Sequence, residues 1–412
     1  MKIIFCDNTL WGLVNFRGEV IKYLKNKGHE VVLVAPEKED KQMRTTIPDG
    51  VHYIPIKMER TSLNPIKDMK YFRTMLHIFR KEQPDYIFTY TIKPNIYGSI
   101  AARLAGCRST AMMAGLGYIF INDSIILRAA RAFYQFGLSF AEHIIVLNDY
   151  NRRLIEQKHL CAPKKIVFLE GGEGINIDNY KKYNNASNDT TFLFIGRILW
   201  DKGYDEFTKA ARKVKVLYPN VNFELLGSLD PKYPKSVPEE RLRKDEEDGI
   251  VKYIGFTHDM DKVFQRKGIV ITVPSYSEGM NRALMEACAS GKPIITSDIP
   301  GCREAVVEGK NGFLVPARNA DALAEAMLRY LHLSPQEKQD FSDESRKKAE
   351  NLFDVQRVIA KYTKIIHQNE TLMTNNEPTL KSKACLKCLY FTKIISALCC
   401  YLEYFSYLYT IN

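Results

Sequence analysis

The sequence lacks the closely spaced glycines that lay a dinucleotide pyrophosphate onto a helix start. Its first strand–helix turn, Asp7 to Arg17, holds only Gly12. That disfavours a nicotinamide-dependent dehydrogenase. There is no detached basic arm. Lys and Arg number 59 against 48 Asp and Glu, a formal charge of +11, but both signs are spread along all 412 residues. The excess suits an anionic partner such as a phosphorylated small molecule or an acidic membrane face; a nucleic-acid partner is not expected. No Asp-x-Asp is placed at a strand end. The nine cysteines are an odd, scattered set with no secretory leader before them, which favours a reducing cytosolic setting over a disulfide framework. Cys385 and Cys388 have the spacing of half a zinc site, but only the adjacent Cys399 and Cys400 lie near, among apolar residues. Long apolar runs are absent until the last stretch.

What is present is a repeated unit of a short β-rich run followed by a helical pattern. Lys2–Cys6, Glu30–Ala35, Val51–Pro55, Tyr86–Thr89, Ile144–Leu147 and Ile166–Leu169 read as strands. Helices are expected at Phe16–Lys27, Lys67–Lys81 and Ile96–Ala105, with Asp7–Asn15 as a loop. A polar stretch from Tyr180 to Thr190 reads as a linker. A second series then begins, with strands at Thr191–Ile195, Asn222–Leu226, Val251–Ile254, Val270–Val273 and Pro293–Thr296. Its helices are Tyr204–Tyr218, Arg282–Ala289 and Asp321–Leu331. The fold class is therefore α/β, two Rossmann-like doubly wound lobes facing a central cleft. The expected boundaries are 1–180 and 188–345 for the lobes, 346–367 for closing helices, 368–383 for a flexible connector and 384–412 for an amphipathic aromatic segment. In that segment Ser396, Cys399, Glu403, Ser406 and Thr410 form a narrow polar stripe on an otherwise apolar helix, behind Lys381, Lys383, Lys387 and Lys393. Such a helix suits a membrane interface first, with a strained single span as its lesser form; the alternative is a docking face on a lobe or on a second subunit.

The chemistry concentrates in Pro274–Ser290, PSYSEGMNRALMEACAS. A strand ends, Glu278 follows in a polar loop, Gly279 permits a tight turn, and a helix starts near Asn281 and carries Glu286. Free N–H groups at such a start receive phosphate or sugar hydroxyls, and the Glu286 carboxylate suits a vicinal diol. The alternative is a solvated helix start whose acidic residues merely suit the dipole. The second signal is FIGRILWDKG, Phe194–Gly203. Arg197 and Lys202 follow the first strand of the second lobe, on the same sheet edge, where two cations clamp a diphosphate and neutralise a leaving group.

These motifs, in this order, resemble the family 4 glycosyltransferases, especially the bacterial branch that builds surface polysaccharides or lipid-linked oligosaccharides. The likeness runs from Lys2 to about Lys361. It includes the two glutamates with seven residues between them, Glu278 and Glu286, and GRILWDKG, ELLGSLD, VKYIGFTHDM, SDIPGCRE and NGFLVP. TIKPNIYGSIAAR and AGLGYIF belong to it in the first lobe. The resemblance implies that Arg197 and Lys202 hold the donor phosphates and Glu286 the ribose. It implies that Glu278 and the Gly279–Met280–Asn281 backbone meet the donor sugar, with the loop around Gly12 closing on the diphosphate. Catalytic roles fall to Glu278, Arg197 and Lys202, with no cofactor or metal and with retention at the anomeric carbon. Two departures stand out. Asn281 occupies a position that is often proline in the family. The histidine often found near the end of the fourth strand is missing from the run Thr89, Tyr90, Thr91, Ile92, Lys93.

On the acceptor side the candidates are Asn15, Arg17, Arg60 and Lys93. Arg60, Lys67, Lys70, Arg73 and Arg80 alternate with Phe72, Met75, Leu76 and Phe79, and Arg128 and Arg131 flank Phe133, Tyr134 and Phe136. Bases among bulky apolar residues suit a polyprenyl-diphosphate acceptor; core-facing aromatics with cations on the wet face fit each helix equally well. The expectation is a hexose or N-acetylhexosamine transferred from a UDP-sugar to a lipid-linked glycan, undecaprenyl-diphosphate being the carrier. The enzyme would work in the cytoplasm, peripheral on the inner face of the membrane. The alternatives are a nucleotide-sugar epimerase, a phosphorylase-like enzyme or a non-catalytic glycan-binding protein.

Overall fold

The computed structural model describes residues 1–36, 44–59, 64–115, 125–183, 190–231, 233–257, 259–265 and 268–374. The chain divides into two units, one of Met1–Leu169 with the chain from Val358 onward, the other of Glu170–Arg357.

The first unit runs β1 (Lys2–Cys6), α1 (Leu10–Asn26), β2 (Glu30–Pro36), β3 (His52–Ile56), α2 (Pro65–Glu82) and β4 (Tyr86–Tyr90). A π-helical turn, Pro94–Gly98, leads into α3 (Ser99–Leu104). Then come β5 (Arg108–Met113), α4 (Ile125–Ser139), β6 (His143–Val146), α5 (Asp149–Gln157) and β7 (Ile166–Phe168). The strands pair in parallel in the order β3-β2-β1-β4-β5-β6-β7. Ile3, Ile4, Phe5 and Cys6 are fully buried, as a central parallel strand with both faces covered requires.

The second unit runs β8 (Thr191–Ile195), α6 (Tyr204–Leu217), β9 (Asn222–Leu226), α7 (Glu239–Glu247), β10 (Lys252–Tyr253) and α8 (Met260–Phe264). It continues with β11 (Gly268–Thr272), α9 (Arg282–Ala289), β12 (Ile294–Ser297), β13 (Gly312–Val315), α10 (Ala320–Leu331) and α11 (Pro335–Lys348). This sheet is also parallel, in the order β10-β9-β8-β11-β12-β13. A final helix, α12 (Val355–Thr374), joins the first unit from Val358. There the Tyr362 ring packs 4.8 Å from that of Phe88, and its hydroxyl hydrogen-bonds the Tyr90 hydroxyl at 2.8 Å.

Several expectations change. Residues 7–15 are not a loop: α1 starts at Leu10, because the Thr9 side chain caps it by accepting the Gly12 N–H at 2.9 Å. β5, RSTAMM, and β13, GFLV, were not foreseen. The division falls at Glu170 rather than in the polar stretch at 180–190, and the expected closing helices 346–367 are shared. The end of α11 stays in the second unit, and α12 returns to the first through buried Tyr362, Ile365 and Ile366. α12 also runs through the first part of the expected connector, 368–374. The rest of the connector, the segment 384–412 and the Cys385–Cys388 pair lie outside the described residues. Among the described residues, no helix is long and apolar enough to cross a membrane.

One charge sits against the logic of the core. Lys292, just before β12, is buried, and burial pulls its ammonium down to about 8. The fold thus holds this proton less tightly than the unfolded chain, whose lysine titrates near 10.5. Stability should rise with pH between about 8 and 10.5, and below that window the full penalty of the charge is felt. Lys292→Met should therefore melt a few °C (roughly) above the parent at pH 7. In a melting series from pH 7 to pH 10, that gain should shrink above pH 8. A gain that stays constant would mean that the lysine charge is not the cause.

Candidate active site

In the second unit the chain leaves β8 for β9 and β10 on one side, then crosses to β11 on the other. β8 and β11 thus flank the topological switch point, where open parallel sheets bind ligands beyond their carboxyl ends. Lys202 comes from the loop after β8, in a short turn, Trp200–Lys202. Gly203 follows with φ +91°, and a Cβ there would lie 2.4 Å from the Val273 carbonyl oxygen. Only glycine lets this loop press onto the exit of β11. The Ser275 N–H donates to the Asp201 carbonyl at 3.0 Å and joins the two loops.

That packing brings the Lys202 ammonium into an ion pair with Glu278, their side chains 19% and 14% exposed, and 5.1 Å over the Tyr276 ring. Burial alone would lower the lysine's pKa. Glu278 and Tyr276 outweigh it and hold the ammonium above its ordinary value. Asn281 then caps α9, its side-chain oxygen accepting the Leu284 N–H at 3.3 Å, while its amide nitrogen approaches Thr272 Oγ1 at 3.4 Å. The polar side chain of Asn281 is therefore turned to the helix start and the end of β11. Met280 packs with the apolar cluster that contains Leu284 and Met285, and Gly279 lies between it and Glu278.

Glu286, one turn into α9, is buried. Its Oε1 accepts Arg282 Nε at 2.7 Å and the Tyr180 hydroxyl at 2.9 Å. Burial first, then the Glu286 charge, pushes the Tyr180 phenol far up, so it stays a donor. Arg197 departs from the expected clamp geometry. It is 44% exposed, 3.8 Å from Asp230, and its guanidinium lies 5.0 Å over the Tyr233 ring. Each of the two cations thus has its own carboxylate, Lys202 on the β11 side and Arg197 on the β9 side. Tyr180, Tyr276, Asp230, Tyr233 and the side chain of Arg282 were missed by sequence reasoning. Tyr180 and Tyr233 lie in loops without a motif, and nothing local announces their partners.

In the first unit the candidates behave differently. Because α1 starts early, Gly12 is in its first turn rather than in a loop, and its N–H is taken by the Thr9 cap. Asn15 sits half-buried in the second turn. Arg17, expected beside the acceptor, is 3% exposed. Its Nη1 contacts Asp7 Oδ2 at 3.2 Å and the Gly12 carbonyl at 3.0 Å, and its guanidinium lies 4.1 Å over the Tyr90 ring. It holds the β1–α1 junction together and is not an open cation. Lys93 is likewise spent, paired with Asp68 at 2.6 Å and bonded to the Glu59 carbonyl at 2.9 Å. Arg60 lies outside the described residues. On α2, Phe72, Met75 and Phe79 point into the core, so the apolar half of the basic–aromatic pattern is structural. Lys70, Arg73 and Arg80 remain on the surface with Ile66, which is 72% exposed.

Comparison with known families decides what these two sheets serve. A model described as "Glycosyl transferase 4-like" matches residues 2–148, and one described as "Glycosyl transferases group 1" matches residues 176–348. The chain belongs to these glycosyltransferases. The glycosyltransferase is 29% identical over 341 residues, 79% of its length and 88% of the relative's, to a Campylobacter jejuni protein. That relative is named N,N'-diacetylbacillosaminyl-diphospho-undecaprenol alpha-1,3-N-acetylgalactosaminyltransferase. It is 25% identical over 329 residues, 74% of its length and 81% of the relative's, to an Escherichia coli protein. That one is named UDP-Gal:alpha-D-GlcNAc-diphosphoundecaprenol alpha-1,3-galactosyltransferase. In fold, the glycosyltransferase is similar to Anabaena HepE solved with UDP-glucose, with TM-score 0.73 and 18% identity, covering 89% of this chain and all of that one. The two parallel α/β units expected from sequence are those of a glycosyltransferase.

Proposed function

We propose that this enzyme transfers a hexose or N-acetylhexosamine from a UDP-sugar to an undecaprenyl-diphosphate-linked glycan during polysaccharide biosynthesis, with retention at the donor anomeric carbon. The observation that carries the reading is the Lys202–Glu278 pair at the switch point, in the loop before a capped helix that carries Glu286 one turn in. In the proposed donor complex the diphosphate takes the Lys202 ammonium, and Arg197 swings from Asp230 to the same phosphates. Glu278 and the Gly279–Met280–Asn281 backbone receive the sugar, and Glu286 Oε2 the ribose hydroxyls. The bond from the anomeric carbon to the phosphate oxygen breaks as that carbon bonds, on the same face, the acceptor hydroxyl oxygen, and the hydroxyl proton passes to the leaving phosphate oxygen. The developing negative charge on UDP falls between the two cations, the arrangement that stabilises a leaving group most.

The acceptor class is supported by the relatives' names, both of which specify a diphospho-undecaprenol-linked sugar. A peripheral place on the inner membrane face is supported by the basic strip Lys70, Arg73 and Arg80 beside exposed Ile66, which suits anionic headgroups. No cofactor and no metal enter this scheme.

Purified full-length protein incubated with UDP- and GDP-sugars and a membrane lipid extract from its source should release UDP and label the lipid fraction with one donor. Nucleotide release without labelled lipid would overturn the lipid acceptor. Turnover without any acceptor would favour the epimerase reading, and turnover with phosphate alone the phosphorylase reading. Glycan binding with no turnover of any donor would leave a non-catalytic protein.

A further inference from the structure

SDIPGCRE, Ser297–Glu304, follows β12 and has no role in the scheme above, yet it lies directly behind the donor loop. The Glu278 N–H donates to the Pro300 carbonyl at 3.0 Å, and the Asn281 N–H to the Gly301 carbonyl at 2.8 Å. Both ends of the Glu278–Asn281 loop therefore hang on two adjacent peptide groups. Gly301 has φ +87°, and a Cβ there would lie 2.5 Å from the Glu278 carbonyl oxygen, so the two loops touch backbone to backbone. That conformation is costly for any other residue, and glycine leaves it loosely determined. What fixes it is a carboxylate: Glu304 Oε2 accepts the Gly301 N–H at 2.8 Å. Glu304 stands on a short turn, Arg303–Ala305, held by the Cys302 and Arg303 N–H groups donating to the Ile299 carbonyl, and by Asn311 Nδ2 donating to the Ala305 carbonyl at 3.0 Å.

We propose that Glu304 is a positioning residue for the donor-sugar loop: through Gly301 it fixes the backbone that aims Glu278 and the start of α9. The proposal rests on the donor-site reading above. The carboxylate is half-buried, and burial raises its pKa while the N–H groups of Gly301 and of Glu304 itself pull it back. A solvated surface acid would need neither donor. Glu304 is not catalytic, since its bond ends on the loop and not on a ligand. Displacement of a catalytic loop by about 1 Å costs up to ~10²-fold in rate.

Three variants test this. Glu304→Ala removes the acceptor, Glu304→Asp keeps the charge but is one methylene too short, and Glu304→Gln keeps an acceptor oxygen at the right reach. Hydrogen exchange on the full chain should show faster exchange at the Glu278 and Asn281 amides in the Ala and Asp variants, and parent-like protection in the Gln variant. With UDP-sugar as the varied substrate, the Ala and Asp variants should lose about 10-fold or more in kcat/KM at an unchanged acceptor KM. Gln should restore most of it. Parent-like protection of both amides in Glu304→Ala and Glu304→Asp overturns the proposal. So does an equal loss in all three variants, or a fall in melting temperature with unchanged donor kcat/KM. Glu278→Gln, run alongside, tests the donor-site reading separately: full turnover there sinks that reading, while the exchange result still decides what Glu304 holds.

Discussion

Lys202→Ala should lower turnover by roughly 10²-fold or more, the loss expected when a preorganised group facing a developing charge is deleted. The ammonium lies between β8 and β11, mostly shielded from water and held charged by Glu278 and Tyr276. In so shielded a position a positive charge acts on a leaving diphosphate far more strongly than it would in bulk water. The side chain is not part of either apolar core, so the melting temperature should move far less than the rate. Two measurements separate the roles: initial rates with labelled donor, and calorimetric binding of free UDP. Loss of both marks a phosphate contact. Parent-like turnover would remove Lys202 from the mechanism and, with it, the assignment of the diphosphate to this edge of the sheet.

Asp7→Ala should destabilise the first unit by about 3–5 kcal/mol, the usual cost of leaving a buried charge without its partner. Asp7 is buried at the end of β1, where it meets Arg17 Nη1 at 3.2 Å and the Asn8 N–H at 2.5 Å, with Thr91 Oγ1 at 3.5 Å. The Arg17 guanidinium beside it is almost wholly shielded from water, so the loss of Asp7 leaves a buried positive charge. Removing both charges, as Asp7→Ala with Arg17→Met, should recover most of the loss, because an apolar side chain of similar length fills the same space beside Tyr90. Denaturant unfolding of the parent, the two single variants and the double variant gives the coupling directly. A loss below about 1 kcal/mol in Asp7→Ala would show that the pair does not hold the β1–α1 junction.

Both predictions turn on residues that sequence reading treated unequally. Lys202 was placed correctly beyond β8, and Glu278 and Glu286 on the loop and first turns of α9, because each stands a fixed number of residues from a strongly periodic element. The bounds of α9 were read without error for the same reason: Asn281 caps it, and the run that follows is good helix former. The ion pair that joins Lys202 to Glu278 was not legible, since 76 residues separate the partners. Arg17 was misread for a local reason. With α1 started at Phe16 it opens the helix; with the start at Leu10 it lies two turns in and faces the core. The Lys93–Asp68 pair was not legible either, since Asp68 reaches it from α2, 25 residues earlier.

The sequence by itself determined that this chain makes two parallel α/β units and that the candidate residues Lys202, Glu278 and Glu286 gather on the carboxyl edge of the second sheet. Strand–helix alternation, caps and glycine turns are local, and they leave few other folds open. Only the tertiary structure decided which charges are available there. Parallel sheets order their strands by crossover, so β8 meets β11 and the loops of Lys202, Glu278 and Gly301 close on one another across long stretches of chain. A charge's worth depends on what faces it and how much water remains, and both are set by that closure rather than by neighbours in sequence.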